Sequence, residues 1–422
     1  MTIIPNSHSR RRPRLLQPAL AALATLSVIT TAACGSTDPD GPAAPPEPQQ
    51  STRTEVTGTR LAVTYNGGVL VLDRDSLEPV ADLELPEFLR LNPAGDQRHL
   101  MVSTGDGFRV LDTGVEVSEH GDHNHYFAGE ATLTDVTYPA PEPGHAVRHA
   151  GKLALFSDEA GTVQVIDPHE VTAGPAPEPT WTAPDAHHGV AVPLEDGGLF
   201  VSVGTEEGRT GATVLDAQHQ QVATSDDCPD LHGEATTASG TVLAGCTDGV
   251  LLWKDGQFTK IDSPDAYGRI GNQAGSPESE VVLGDYKTDA DAELERPTRV
   301  SLIDTATERI RLVDLGTSYS FRSLGRGPEG EALVLGTDGR LHVIDPDTGK
   351  VTQRIKVTAP WKESATWQDP RPTLLVEDSF AWVTEPGTKQ LHVVHLPSAT
   401  VVDTVELPEM PNELVGVGEA AH

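Results

Sequence analysis

The sequence has few cysteines, few aromatic residues and little positive charge. Its 422 residues include three Cys and 5% aromatic residues, and 30 Lys and Arg stand against 63 Asp and Glu, which gives a net charge of −33. We expect no nucleic-acid ligand, because neutralising phosphates requires a basic surface. Beyond the N-terminal region, no stretch reaches about 18 continuous apolar residues, so we predict no further membrane-spanning helix.

The residues that are abundant favour strands and turns. Gly (40) and Pro (33) both interrupt helices. Apolar residues make up 37% of the chain, which is too many for a disordered protein and enough to bury a large core. The composition therefore predicts a turn-rich, all-β fold.

The N-terminus has the pattern of an export signal. Four arginines between positions 10 and 14 precede an uncharged, mostly apolar run that extends to Ala33, an order typical of secretory signals. The segment TTAACGS resembles a bacterial lipobox, in which Cys34 becomes the lipidated first residue of the mature protein. Thr31 departs from that motif, which prefers Leu there. The alternative is an ordinary signal peptide cut after Ala33.

We accordingly predict three segments. Residues 1–33 form a lipoprotein signal peptide, residues 34–54 form the lipidated Cys34 with a disordered tether rich in Pro, Asp, Ser and Gln, and residues 55–422 form one globular domain. We expect a monomer outside the cell, held to the outer face of the cytoplasmic membrane by its lipid alone. A periplasmic location is the alternative.

The cysteine count agrees with export. Once Cys34 carries lipid, Cys228 and Cys246 remain as an even pair, and a disulfide between them would persist in an oxidising compartment. The alternative is a pair of thiolate ligands for zinc, but their spacing does not resemble CxxC hooks. We favour the disulfide.

A short pattern of alternating apolar residues ending in Asp recurs along the chain. Copies end at Asp73, Asp112, Asp167, Asp216, Asp304 and Asp345, and two degenerate copies end at Lys254 and His395. The mean spacing of about 46 residues is that of one four-stranded propeller blade. We predict a single β-propeller with eight blades; seven is the alternative if a degenerate copy is misread. The first repeat lacks an inner strand, which residues 412–418 can supply, so that the two chain ends pair and close the ring.

Three consecutive repeats place a histidine at the start of the innermost strand. These are His145 in PGHAV, His188 in AHHGV and His232 in DLHGE. Such strand starts surround the central channel of a propeller. Three imidazoles with water or a carboxylate are a known ligand set for zinc, so these residues are predicted metal ligands.

Other residues nearby are candidates to orient the ligands. These are His187, His149, Asp185, Asp230 and Glu234. For Asp185 and Asp230, a role in capping turns is the alternative, because the same Asp recurs before a blade without a histidine. Arginines at the equivalent positions of the other blades would repel a cation, and we expect them to pair with channel acids such as Glu413.

A second histidine group lies in the stretch EHGDHNHYF. His120, Asp122, His123 and His125 fall within six positions, where the repeat spacing widens. We predict an inserted, mobile loop that captures metal more weakly than the strand histidines, because ordering a flexible loop costs entropy. Since it follows the third strand of its blade, we prefer two separate metal sites over one. A solvated polar loop without metal is the alternative.

EHGDHNHYF, HHGVAVPL and CPDLHGEA together resemble the AztD zinc metallochaperones, which accompany zinc ABC importers. The resemblance implies a propeller that binds zinc and passes it to the solute-binding protein of an importer. It implies ligand roles for His120, His123, His125, His188 and His232, and a disulfide between Cys228 and Cys246. That family is soluble and periplasmic, so the lipobox and the acidic tether are departures.

Two other functions are also compatible with the sequence. A metal-dependent hydrolase or lyase would need a general base, for which Glu234 is a candidate, but the sequence has no nucleophile elbow, P-loop or HExxH motif. A metal-free interaction propeller on the cell surface is the other alternative. We predict a protein that is not an enzyme and that binds Zn²⁺, with copper and nickel as further candidates because histidine sites also bind them.

Overall fold

The computed structural model describes residues 54–56, 59–120 and 123–417, with side chains for 59–118 and 125–417. The predicted signal peptide, Cys34 and the tether up to residue 53 lie outside the described residues. Strands and turns dominate the described chain, and its two short 3-10 helices are Pro168–Ala173 and Pro386–Thr388. None of the helices in these segments has both the length and the apolar character that a membrane-spanning helix needs.

Thirty-five strands follow one another along the described chain. The first ten are β1 (Thr54–Val56), β2 (Arg60–Tyr65), β3 (Gly68–Asp73), β4 (Pro79–Glu84), β5 (Arg90–Pro93), β6 (His99–Thr104), β7 (Gly107–Asp112), β8 (Val115–His120), β9 (His123–Ala128) and β10 (Thr132–Pro139). The next twelve are β11 (Pro143–His149), β12 (Lys152–Ser157), β13 (Thr162–Ile166), β14 (Trp181–Thr182), β15 (Ala191–Pro193), β16 (Leu199–Thr205), β17 (Gly208–Leu215), β18 (Gln221–Ser225), β19 (His232–Thr236), β20 (Val242–Cys246), β21 (Gly249–Lys254) and β22 (Gln257–Asp262). The last are β23 (Gln273–Ala274), β24 (Val281–Asp285), β25 (Arg299–Asp304), β26 (Arg309–Asp314), β27 (Leu324–Arg326), β28 (Ala332–Leu335), β29 (Arg340–Ile344), β30 (Val351–Lys356), β31 (Leu374–Glu377), β32 (Phe380–Glu385), β33 (Gln390–His395), β34 (Thr400–Glu406) and β35 (Leu414–Gly416).

Eight four-stranded antiparallel sheets form the blades of a propeller, which confirms the predicted fold class and the count of eight. From the channel outward, blade 1 is β35-β2-β3-β4, blade 2 is β5-β6-β7-β10, and blades 3 to 8 each use four consecutive strands from β11-β12-β13-β14 to β31-β32-β33-β34. Both degenerate repeats, ending at Lys254 and His395, form third strands, so the alternative of seven blades is wrong.

In six of the eight blades, an Asp closes the turn after the third strand. The Oδ1 atom of Asp304 accepts hydrogen bonds from the backbone N–H groups of Ala306 and Thr307, both at 3.0 Å. Asp345 accepts one from Thr348 in the same way, at 2.8 Å, and this bond holds the pKa of Asp345 below its ordinary value. A short acceptor at this position stabilises the turn, which explains why the pattern ends in Asp.

The two ends of the described chain close the ring, as predicted. Strand β35 pairs with β2 in antiparallel register, with Leu414 opposite Val63 and Gly416 opposite Leu61. The backbone N–H of Glu413, just before β35, donates to Thr64 Oγ1 at 2.9 Å. The C-terminal strand is therefore the inner strand of blade 1.

Eight hydrophobic clusters lie among the described residues, one between each pair of neighbouring blades. Successive residues of β2 serve different clusters: Leu61 and Val63 pack against blade 8, and Ala62 packs against blade 2. Because side chains alternate along a strand, a blade buried on both faces needs an unbroken apolar run. The apolar repeat therefore encodes the packing of blade on blade.

The histidine-rich insertion in blade 2 differs from the predicted mobile loop. Strands β8 and β9 form a hairpin, and β1 pairs with β9 to make a separate three-stranded sheet. Strand β1 begins at Thr54, the last residue of the predicted tether. The prediction of a loop was wrong because the flanks VEVSEH and HNHYFA alternate polar with apolar residues over only part of their length, which is a weak strand signal.

The predicted disulfide is present. Cys228 and Cys246 are both fully buried and bonded to each other, and they close a loop that spans 18 positions. On the chain-entropy model a loop of this length contributes about 3 kcal/mol. The bond ties the segment that leads into His232 to strand β20.

His99 forms a charged lock at the base of the insertion. Its Nδ1 contacts Asp96, and its Nε2 lies 3.7 Å from Oδ2 of Asp112, the residue that ends β7. Burial alone would lower the pKa of His99, but the two carboxylates raise it from 6.5 to about 9. Asp112 also accepts from the backbone N–H of Gly114, so the lock fixes the start of the inserted hairpin.

We predict that His99 stabilises the fold in a pH-dependent way. Its pKa is higher in the folded than in the unfolded chain, so its contribution is complete below pH 6.5 and is lost as the pH rises through about 9. A change from 6.5 to 9 corresponds to on the order of 3 kcal/mol. In urea unfolding, the difference in stability between wild type and His99→Gln should shrink from about pH 6 to about pH 10. A difference that stays constant would contradict the lock.

Candidate metal centre

The inner strands of the eight blades bring charged and metal-ligating residues to one mouth of the channel. In blade order from 2 to 8 and then 1, the residues at the inner-strand starts are Arg90, His145, His188, His232, Arg269, Arg322, Arg371 and Glu413. The three histidines therefore lie on consecutive blades. They line a mouth cavity of about 450 Å³, and two of them, His145 and His232, also line a deeper cavity of about 280 Å³.

The structure brings the three strand-start histidines together. One ring nitrogen of each lies within 4.8 Å of those of the other two. The ring centroids are 5.2 Å apart for His145 and His188, 5.7 Å for His145 and His232, and 5.3 Å for His188 and His232. Within the described part of the chain, this is the one group of three or more potential ligands so close together.

Each of the three imidazoles is held at Nδ1. His188 Nδ1 lies 2.5 Å from Oδ2 of Asp158, and His232 Nδ1 donates to the carbonyl oxygen of Gly271 at 2.6 Å. His145 Nδ1 lies 2.9 Å from Oε2 of Glu234 in an ion-pair contact, in which that buried oxygen makes no hydrogen bond. A carboxylate or carbonyl on one ring nitrogen fixes the tautomer and leaves the other nitrogen with its lone pair. Nε2 is therefore the atom that each histidine offers to a metal.

Local irregularities in the backbone aim two of these side chains. Strand β11 carries one extra residue between Pro143 and Ala146, and β19 carries one between His232 and Glu234. Such bulges interrupt the strict alternation of side chains and redirect them. Gly233 takes φ +71° in the second bulge, where a Cβ atom would lie 2.7 Å from the Gly271 carbonyl that holds His232.

The surroundings shift the pKa values of two ligands in opposite directions. Burial, reinforced by the charge of His145, lowers the pKa of His232 to about 4, so this ring is neutral at pH 7 and ready to coordinate. Burial opposes the charged form of His145, but Glu234 more than offsets it and raises the pKa of His145. Protons therefore compete with a metal more strongly at His145 than at His232.

The donor set fits a zinc ion. Three imidazole nitrogens leave one position of a tetrahedral ion open, and ligands that share such an ion lie about 3.4 Å apart. The ring nitrogens of the three histidines lie within 4.8 Å of one another, so the rings must approach one another further to share an ion. The side chain of His188 is 39% exposed, so the cluster is reachable from the mouth.

Of the five residues predicted to orient ligands, one contacts a ligand side chain. Glu234 is that residue. His187 is buried and uses both ring nitrogens, at the Asp185 carbonyl (2.8 Å) and Ser202 Oγ (2.9 Å). The Asp185 side chain is not among the groups that hold the rings, and Asp230 instead forms ion pairs with Arg209 (2.6 Å) and Arg269.

His149 lies away from the cluster. Its Nδ1 donates to the Pro193 carbonyl at 2.6 Å. It lines a different cavity, of about 280 Å³, together with Glu195 and Asp196. His149 ends β11, four residues after His145, and therefore lies toward the opposite rim of the propeller.

The predicted ligands of the inserted stretch lie elsewhere in the fold. His120 ends β8 and pairs in register with His123, which begins β9, and His125 pairs with Ser118. Asp122 lies outside the described residues. Strand direction alternates within a blade, so the hairpin leaves β7 at the rim opposite the strand starts. The topology thus separates the hairpin from the three clustered histidines, in agreement with the preference for two sites.

The channel arginines pair with acids as expected. Glu413 accepts from Arg90 Nε at 3.3 Å and from Arg322 Nη2 at 3.0 Å. Arg371 pairs with Glu363 at 2.9 Å. These pairs hold the arginine side chains in place around the channel.

Sequence reasoning missed two of the three groups that hold the rings. Asp158 lies in a turn after β12, where an Asp is expected for turn formation alone. The Gly271 carbonyl carries no side-chain signal. Asp158 and His188 are 30 positions apart and meet only because blades 3 and 4 pack side by side.

We predict that Asp158→Asn weakens divalent-metal binding about 10-fold to 100-fold, the usual cost of losing a carboxylate that orients a histidine ligand. Asp185→Asn is the matched control, since that residue is close in sequence to His188 but its side chain does not hold a ring. Competition with a chromophoric chelator measures both affinities. Equal effects of the two substitutions would contradict the assignment.

Comparisons with known proteins support the fold and show a similarity to a zinc chaperone. No family model matches the sequence. Over 320 residues the chain is 27% identical to the zinc chaperone AztD of Citrobacter koseri, which covers 73% of each protein. The crystal structure of Citrobacter koseri AztD superposes with a TM-score of 0.71 and 25% identity over 85% of this chain and 97% of that chain, and the apo structure gives the same values.

A more distant structure shares the architecture alone. The dihydro-heme d1 dehydrogenase NirN in complex with DHE matches with a TM-score of 0.58 over 89% of this chain and 79% of that chain. Its identity of 12% indicates a common fold and carries no functional conclusion. AztD of Citrobacter koseri is therefore similar to this chain in both sequence and structure, and this chain shares its β-propeller fold.

Proposed function

We propose that this protein is an exported zinc chaperone that binds one Zn²⁺ through His145, His188 and His232 and passes it to the solute-binding protein of a zinc ABC importer. The observation that carries the proposal is the convergence of three imidazoles that are each held at Nδ1. The similarity to a protein named a zinc chaperone supports the same conclusion. That relative is also not an enzyme, in agreement with the sequence analysis.

The geometry suits a site that holds an ion and then gives it up. Three protein ligands leave one coordination position open toward the mouth. An incoming donor from a partner can bind there before any histidine leaves. His188, the most exposed of the three at its side chain, is then the first ligand that a partner can replace.

We also propose a role for the inserted hairpin. His120, Asp122, His123 and His125 would capture zinc at the opposite rim, and the ion would then move to the tighter cluster. Strand β1, which pairs with the hairpin at Thr54, follows directly on the tether. Along the sequence, 20 positions separate Cys34, the predicted lipidation site, from the start of β1.

We favour zinc as the metal for this donor set. Copper and nickel also bind histidine sites, and copper generally binds them more tightly than zinc does. Competition among the three ions on the untagged protein ranks them. We propose zinc because a tetrahedral site with three imidazoles and an open position is characteristic of zinc.

The ligand assignment predicts the metal content of the protein. Wild type should bind zinc in the clustered site with high affinity, and His188→Ala with His232→Ala should abolish that binding, because a single remaining imidazole does not chelate. His169→Ala is the control, since His169 lies exposed in a 3-10 helix. Elemental analysis and chelator competition measure the loss. Unchanged tight zinc binding in the double variant would refute the site.

The transfer step has its own test. When zinc-loaded protein is mixed with the metal-free solute-binding protein, the acceptor should fill faster than zinc dissociates into excess chelator. A direct handover predicts a transfer rate that rises with acceptor concentration. A rate that equals spontaneous dissociation at every acceptor concentration would show release into solution and contradict a chaperone.

A further inference from the structure

The zinc-binding cluster is flanked by arginines. In blade order, Arg90 precedes His145 and Arg269 follows His232. Arg90 lines both cavities that contain His145 and His232, and Arg269 lines the mouth cavity. A guanidinium that lines the same cavity as the three histidines repels a divalent cation bound to them.

The carboxylates that pair with these two arginines are each shared with a second arginine. Glu413 is shared by Arg90 and Arg322. Asp230 is shared by Arg209 and Arg269. The other acids of the mouth cavity are held by Lys287, by backbone N–H groups and by Arg371; they are Asp285, Glu295 and Glu363. Within the described ion pairs, neither Arg90 nor Arg269 therefore has a carboxylate to itself.

Arg90 has hydrogen-bond donors that its contact with Glu413 does not use. Its side chain is 48% exposed, and within the described residues its contact with Glu413 uses Nε, which leaves the two terminal nitrogens of the guanidinium for another acceptor. Arg322, behind it, is 8% exposed, and its buried Nε has no hydrogen-bond partner. Both arginines line the deeper cavity with His145 and His232.

The carboxylates nearest to the cluster lie against two of the imidazoles. Glu234 lies against His145 Nδ1, and Asp158 lies against His188 Nδ1. If either became a metal ligand, the imidazole beside it would lose its partner. Three imidazoles and an open position therefore share the mouth cavity with the guanidinium groups of Arg90 and Arg269.

We propose that a carboxylate anion binds between Arg90 and the metal and serves as the fourth ligand. This inference rests on the proposed function. One oxygen of the anion would coordinate the ion, and the other would accept from the Arg90 guanidinium, which favours planar carboxylates. The anion would attract both the Arg90 guanidinium and the metal ion, which otherwise repel each other. By linkage, bound metal raises the affinity for the anion, and bound anion raises the affinity for the metal.

Two sources supply the same chemistry. A free anion such as bicarbonate or acetate would stabilise the bound zinc until the anion dissociates. An Asp or Glu side chain of the partner would instead attach to the zinc at the moment of handover. In either case Arg90 positions the carboxylate and does not itself contact the metal.

The test compares zinc affinity with and without a carboxylate at constant ionic strength. Chelator competition in chloride, acetate, bicarbonate or N-acetyl-aspartate amide gives the affinity of wild type, Arg90→Gln and Arg90→Lys. Arg354→Gln, on the exposed outer strand of blade 7, is the control for the charge change. Cobalt absorption reports whether the anion enters the coordination sphere.

We expect carboxylate to tighten zinc binding roughly tenfold in wild type and in Arg354→Gln, a size typical of one charge-assisted hydrogen bond. Arg90→Gln should lose this dependence and should bind zinc more tightly than wild type in chloride, because the repulsion is gone. Arg90→Lys should keep part of the dependence. A variant that is merely damaged would instead bind zinc more weakly in every buffer.

The outcomes separate the inference from the function on which it rests. Histidine-dependent zinc binding that is equal in all anions would overturn the carboxylate site and leave the chaperone proposal standing. Absence of zinc binding in wild type would overturn the chaperone proposal itself. An effect confined to N-acetyl-aspartate amide would assign the carboxylate to a partner side chain, and an effect of bicarbonate and acetate would assign it to a free anion.

Discussion

Radial packing of narrow sheets is the constraint on which the structure depends. A four-stranded blade exposes two apolar faces, and each face is buried only when another blade lies against it. The eight clusters between neighbouring blades meet this requirement for every blade. Because the ring must close, the starts of all eight inner strands meet at one mouth, and residues far apart in sequence become neighbours there.

Closure also decides the electrostatics of that mouth. The C-terminal strand completes blade 1 and brings Glu413 to the channel, where the carboxylate accepts from Arg90, from Arg322 and from the backbone N–H of Leu91. The strand that closes the ring thus also holds the arginines of blades 2 and 7. Fold stability and the charge of the site are linked through one residue.

The histidines of this protein show how context decides the role of an imidazole. His99 lies between two carboxylates and acts as a cation that stabilises blade 2. His187 is adjacent to His188 in sequence, yet it is buried with both nitrogens bonded. His145, His188 and His232 each have one nitrogen bonded and the other turned to the same space. The difference lies in the number and kind of acceptors around the ring.

The sequence alone was sufficient for the architecture, the ring closure, the disulfide and the three histidines at equivalent positions. The architecture, the ring closure and the histidines follow from a repeat or from period-two alternation, which are local patterns, and the disulfide follows from the cysteine count. It was insufficient for the groups that hold the rings, the strand pairing of the insertion and the place of His149. Contacts such as His188 with Asp158, His232 with Gly271 and Arg90 with Glu413 span 30, 39 and 323 positions. They depend on bulges and on blade-to-blade packing, so only the tertiary structure decided them.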